Sequence, residues 1–206
     1  NFVIPESVQS LNYKKGVYYA DISDFSGAGS AMLNTTNSAS TPLVSATVGK
    51  NNFLRIVGLG GVTINDTNRV VLAGEHNTYD GPWSDISEDL DKTNVLAKWV
   101  NKQDKAEFSL TFMGYDNSWN SADQIPKRAI ESGLIDELGS LDTTVGGQSD
   151  RYSLSANWRS ENLVASAYVM SYSMNLWSNF TYFLDDPENG DQFEQVDDRT
   201  VYGGEA

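Results

Sequence analysis

The chain has no cysteine, one histidine and no long apolar run among its 206 residues. Zero cysteine excludes a disulfide scaffold and any thiolate metal site. Without about eighteen consecutive apolar residues there is no transmembrane helix. Cations are also scarce, with 14 Lys and Arg against 28 Asp and Glu for a net charge of −14. Nucleic-acid binding calls for a basic patch that neutralises phosphates, so no nucleic-acid partner is expected. The lone histidine, His76, sits in a strand pattern with no accompanying nucleophile motif. No catalytic residue is therefore assigned, and His76 is expected to be a hydrogen-bonding side chain of a lumen or rim. The run Asp185-Asp186-Pro187-Glu188-Asn189-Gly190 has the outline of a calcium loop. Pro187 occupies the third ligand position and Val196 the twelfth, where Glu is required, so no metal or cofactor is expected.

What the chain does contain is strict alternation. Between Lys105 and Tyr115, Ala106, Phe108, Leu110 and Phe112 alternate with Glu107, Ser109 and Thr111. From Arg151 to Arg159, Tyr152, Leu154, Ala156 and Trp158 alternate with Arg151, Ser153, Ser155, Asn157 and Arg159. Period-two patterning predicts strands with two chemically different faces. An ordinary strand runs about five or six residues. Eleven residues tilted near 45° rise about 26 Å, close to the apolar band of an outer-membrane barrel.

Strands are predicted near 42–48, 52–60, 68–77, 92–101, 105–115, 150–159, 163–184 and 194–205. The connections sort by length. Residues 61–67, 102–104 and 160–162 are short and rich in turn formers, whereas 78–91, 116–149 and 185–193 are long and polar; only Gly49-Lys50-Asn51 breaks the rule. Short turns at one rim and long loops at the other describe a transmembrane barrel. The predicted fold is thus all-β: an antiparallel transmembrane β-barrel wall of about eight strands belonging to a larger barrel. Half-buried strands of a soluble sandwich alternate in the same way. The rival expectation is therefore a secreted all-β sandwich binding or adhesin domain, with Phe108, Leu110, Tyr152 and Leu154 inside a two-layer core. A barrel enzyme is disfavoured because a nucleophile–base pair is missing.

Much of the acid lies in the long loops, including Asp80, Asp85, Glu88 and Asp191, and is expected to be solvated, with a cation- or lipopolysaccharide-bridging role as the alternative. Trp158, Phe112, Tyr168, Tyr172, Phe180 and Tyr182 offer either a carbohydrate platform or, as the simpler expectation, interfacial girdles. The first forty residues differ. Glycines and the run Ser26-Gly27-Ala28-Gly29-Ser30-Ala31 break the alternation and suit close backbone packing in a separate unit, and 34–42 reads as a polar linker.

The segment Val8-Gln9-Ser10-Leu11-Asn12-Tyr13-Lys14-Lys15-Gly16-Val17, then Tyr18-Tyr19-Ala20-Asp21 and Gly27-Ala28-Gly29-Ser30-Ala31, resembles the end of the plug domain in TonB-dependent outer-membrane receptors. Asn1-Phe2-Val3-Ile4-Pro5-Glu6 looks like the stretch before this motif in one proteobacterial branch. Asp123-Gln124-Ile125-Pro126, Ser132-Gly133-Leu134-Ile135 and Gly146-Gly147 resemble that branch's long extracellular loop, and Arg151-Tyr152-Ser153-Leu154-Ser155 its next strand. The resemblance implies that residues 1–37 are the C-terminal part of a plug and 38–206 the N-terminal part of the barrel. It departs from the family at Lys15, where Arg is usual, and at Val17, where Pro is usual.

By the same resemblance, Lys15 is the candidate cation locking plug to barrel, with partner carboxylates beyond Ala206. Glu107, Ser109, Arg151, Ser153 and Asn157 are the candidate lumen-facing residues, loops 78–91 and 116–149 contribute to capture, and a helix-like turn at 124–130 caps the mouth. The implied function is import of a scarce nutrient, of the iron-siderophore, cobalamin or oligosaccharide class, driven through the TonB complex. The implied surroundings are outer-membrane lipid and the outer membrane of a Gram-negative bacterium. The chain is expected to be a fragment, because a signal peptide, a TonB-contacting segment and a closing strand are missing.

Overall fold

The structure is a computed structural model that describes residues 2–19, 22 and 26–206. β1 (Val8–Lys15) and β2 (Gly29–Thr35) form an antiparallel hairpin. β3 (Leu43–Val48), β4 (Leu54–Thr63), β5 (Asn68–Tyr79), β6 (Leu90–Lys102), β7 (Ala106–Asn120), β8 (Gly146–Ser160), β9 (Val164–Ser178) and β10 (Phe193–Glu205) follow. These eight pair strictly in chain order as one antiparallel sheet. The expected all-β architecture with an eight-stranded antiparallel sheet is therefore present, and a short helix, α1 (Lys127–Glu131), interrupts its longest loop.

β7 and β8 run further than the alternation suggests, to 15 residues each. Their added ends pair Trp119 with Gly147 and Asn120 with Gly146. Gly146 has φ +156°, and a Cβ there would strike the Trp119 carbonyl, so only glycine admits this entry into β8. In the other direction, the strand expected over 163–184 stops at Ser178. Phe180 and Tyr182 keep strand-like composition but belong to the following loop.

Registers between neighbouring strands are unbroken from β3 to β10, so each face can be followed across the sheet. The N-terminal segment packs on one face, called inner here. Ile4 is buried there with Val57, Val71, Ala73 and Leu96, a burial that contributes about 1.5–3 kcal/mol for the isoleucine alone. A short 3-10 turn, Pro5–Ser7, holds Ile4 in place. Ser7 donates through both its backbone N–H and its hydroxyl to the Ile4 carbonyl, at 3.0 and 2.7 Å.

The outer face presents rows of apolar residues running strand to strand, such as Leu72, Ala97, Phe112, Leu154, Val169 and Tyr202. Leu154 is 43% exposed and Tyr152 46%, and no second sheet lies against them among the described residues. All eight Lys and Arg of the wall strands (Arg55, Arg69, Lys92, Lys98, Lys102, Arg151, Arg159 and Arg199) fall on the inner face. Towards the short-turn end, Trp99, Phe108 and Trp158 make an aromatic row, with ring centroids 5.7 and 6.5 Å apart. Towards the other end, Asp116, Asp150 and Asp198 occupy one level of the outer face.

The connections divide by end. Residues 64–67, 103–105 and 161–163 turn tightly at one end, and 80–89, 121–145 and 179–192 loop out at the other, beside the short 49–53 link. The three long loops are tied into one layer. Ser84 donates to Asp136 at 2.7 Å, Ser140 N–H to Asp85 at 3.0 Å, and Asn179 and Gln192 donate to Asp142 at 2.8 and 3.1 Å.

Candidate functional site

Two ties and a cavity lie between the N-terminal segment and the inner face. The first tie is ionic. Arg55 of β4 grips Glu6 with both terminal nitrogens, at 2.7 and 2.8 Å, and donates its Nε to Glu75 of β5 at 2.9 Å. Lys92 approaches the same Glu75 oxygen at 3.1 Å, and Asn94 donates to the other at 3.0 Å. Glu75 is 3% exposed, so three hydrogen-bonding or ionic contacts replace the water it lost. Planar guanidinium geometry is what lets one residue serve two carboxylates at once. Glu6 titrates below the usual carboxylate range because the Arg55 guanidinium hydrogen-bonds it.

The second tie is at the end of β2. Lys98 donates to the Thr35 carbonyl and hydroxyl at 3.0 and 3.1 Å, and Asn37 donates to Glu107 at 2.9 Å. Phe2 lies over Arg151, whose guanidinium carbon is 3.7 Å from the ring centroid.

The structure places Glu107, Ser109, Arg151, Ser153 and Asn157 on one face, the inner one. Ser109 and Asn157 stand directly opposite each other on β7 and β8, and both line the cavity with Glu107. Arg151 lies outside that group, beneath Phe2. Lys15 is exposed at the end of β1, opposite Gly29. The tie that the structure contains has the opposite polarity, since its carboxylate, Glu6, comes from the N-terminal segment and its cation, Arg55, from the wall.

The expected girdle needs correction at four positions, one of them Phe180, which lies in the loop after β9 and not on a strand. Tyr168 and Tyr172 pair with Ser155 and Arg151, which turns both rings to the inner face. Tyr182 is not on a strand; it is buried in the loop layer, donating its hydroxyl to the Gln124 carbonyl at 2.7 Å. Burial, with Asp123 and Asp142 nearby, holds its phenol above the usual value. Phe112 and Trp158 do face outward. His76 is also on the outer face, towards the long-loop end of β5, within 3.1 Å of the Thr93 hydroxyl and 3.7 Å of Asp91.

The acidic run 185–191 is a self-capped turn. Asp191 accepts from the Thr181 hydroxyl at 2.6 Å and from the backbone N–H groups of Leu184 and Asp186 at 2.8 Å each. These donors, the hydroxyl foremost, lower its pKa from 3.8 to about 2. A depressed carboxylate stabilises the folded turn above its unfolded value, and that contribution disappears as pH falls through the folded value. Amide exchange at Leu184, Asp185 and Asp186 is thus expected to be slow above about pH 4 and to accelerate, relative to its intrinsic rate, between about pH 4 and 2. Replacing Asp191 by Asn should make exchange at these amides insensitive to this window.

No known family model, curated protein or solved structure matches this chain.

Proposed function

We propose that the chain is part of the wall of an outer-membrane transport barrel of the TonB-dependent kind, with the N-terminal segment as the end of its plug. Its function on this reading is to import a scarce nutrient through the TonB complex, and its outer face meets the lipid of a Gram-negative outer membrane. The observation that carries the reading is an apolar face left uncovered across eight strands while every strand cation lies on the opposite side. Lipid tolerates such a surface; water does not, and a contiguous patch of this breadth marks an interface. A sandwich would need a second apolar layer against Leu154 and Tyr152. From Ala106 to Gly114 the outward residues of β7 span eight residue steps, which at a barrel tilt rise about 19–22 Å, near the height of an outer-membrane apolar band. The aromatic row below and the carboxylates above bound that band as interfaces do.

Four neighbouring positions on β8 test this. The chain has no cysteine, so each introduced thiol is unique in it. In outer-membrane vesicles opened to reagent on both sides, Ser155→Cys and Asn157→Cys are expected to react with a membrane-impermeant maleimide, and Leu154→Cys and Ala156→Cys to stay silent. Equal labelling of all four, or recovery of the protein from buffer without detergent, would falsify the wall.

A further inference from the structure

Towards the short-turn end, the hairpin and the inner face of the sheet border a partly open cavity of about 810 Å³. That lies within the roughly 300–1,000 Å³ of small-molecule sites. Its charges balance, since Lys98 and Arg159 are matched by Glu107 and Glu205. Three of the four are already occupied, Lys98 by Thr35, Glu107 by Asn37 and Glu205 by the Ser166 hydroxyl. An anionic guest would need free cations here, and each cation shares the cavity with a carboxylate.

What remains for a guest is mostly carboxamide and hydroxyl: Gln9 and Asn12 from the hairpin, Ser109, Thr111 and Asn157 from the sheet. These groups both donate and accept, the bonding capacity that matches an array of hydroxyls. Tyr168 supplies an aromatic surface. Its ring rests over Gly203, where an added Cβ would come within 2.9 Å of it, and the tyrosine remains 47% exposed. Glycine at 203 therefore fixes the ring against β10 while leaving it to line the cavity.

We propose that this cavity binds a neutral, hydroxyl-rich solute of the oligosaccharide class, with Tyr168 as the stacking platform. The proposal rests on the import reading above and selects one cargo class within it.

The test uses the intact protein in outer-membrane vesicles with a single thiol at Ser155→Cys. Maleimide labelling is timed with maltotriose, cellotriose or xylotriose, and with citrate and trigalacturonate as anionic comparators. At about ten times its Kd, at least one neutral trisaccharide is expected to slow labelling about tenfold. Tyr168→Phe should retain that protection and Tyr168→Leu should lose it, with Leu154→Cys still silent in the Tyr168→Leu background as proof that the wall is intact. Protection by none of the neutral sugars, equal protection by the anions, or full protection in Tyr168→Leu overturns the proposal. A failure of the import wall looks different: without any sugar, Leu154→Cys would label as fast as Ser155→Cys.

Discussion

Replacing Arg55 by Ala is expected to destabilise the docked N-terminal segment by about 3 kcal/mol. The size follows from what stays behind. Glu75 is almost fully buried and would keep only Lys92 and Asn94, while Glu6 would lose its bidentate partner altogether. Removing one member of a buried ionic cluster costs about 3–5 kcal/mol because an uncompensated charge remains. The surviving Lys92 places this case at the lower end. Arg55→Lys is not a conservative rescue, because an ammonium cannot span two carboxylates in one plane. Glu6→Gln should cost less, since its side chain is 26% exposed and Arg55 retains Glu75. Urea unfolding followed by amide exchange at residues 4–10 separates these variants. An unfolding midpoint unchanged in Arg55→Ala would show that the cluster holds nothing in place. The same tie weakens on acidification: the Glu6 pKa is held below 4.5 by Arg55, so its contribution is complete above that value and fades as pH falls through the depressed one.

Placing a charge in the outer band gives the second large effect. Leu154→Arg puts a guanidinium in the middle of the row formed by Phe112, Leu154 and Val169. At the midplane of an outer-membrane barrel this costs about 2–4 kcal/mol. Ser153→Arg, one residue away, faces the inner side beside Met170 and Met113. It joins a surface that already carries every strand cation, so its cost is expected to stay below about 1 kcal/mol. The two variants differ by one position in sequence and, on the proposed reading, by lipid against lumen in environment. Folding into lipid vesicles, read as the fraction of protein resistant to protease, should fall for Leu154→Arg and hold for Ser153→Arg. Equal behaviour would mean that β8 does not separate lipid from lumen.

The clasp and the cavity sit at opposite ends of the inner face. Arg55 and Glu75 lie near the long-loop end, Glu107 and Asn157 near the short turns. An N-terminal segment held ionically at one end and through Lys98, Thr35, Asn37 and Glu107 at the other is anchored at two separated points. Releasing the first leaves the second, so Arg55→Ala is expected to loosen residues 4–7 more than residues 33–37. Exchange data from the same experiment report both.

The alternation was legible from Ala106 to Phe112 in β7 and from Arg151 to Arg159 in β8 because apolar residues there fall on one parity only, so a local period of two named the face without any knowledge of neighbours. The sorting of short and long connections was legible for a similar reason, since turn formers and strand formers differ in composition. β9 was not. Between Val164 and Met174 the chain carries apolar or aromatic side chains on both parities, Tyr168, Met170 and Tyr172 on one and Ala165, Ala167 and Val169 on the other. Only pairing with Ser155 and Arg151 decided which set turned inward, and with it whether Tyr168 belongs to an interface or to a cavity.

The amino-acid order alone therefore determined strand content, two-faced chemistry and loop asymmetry, all of which are properties of a residue and its immediate neighbours. Tertiary structure alone decided the Arg55–Glu6–Glu75 cluster, whose members are 49 and 20 residues apart, and the cavity beneath the hairpin. Charges that distant carry no local period, and their meeting depends on a register fixed by the whole sheet.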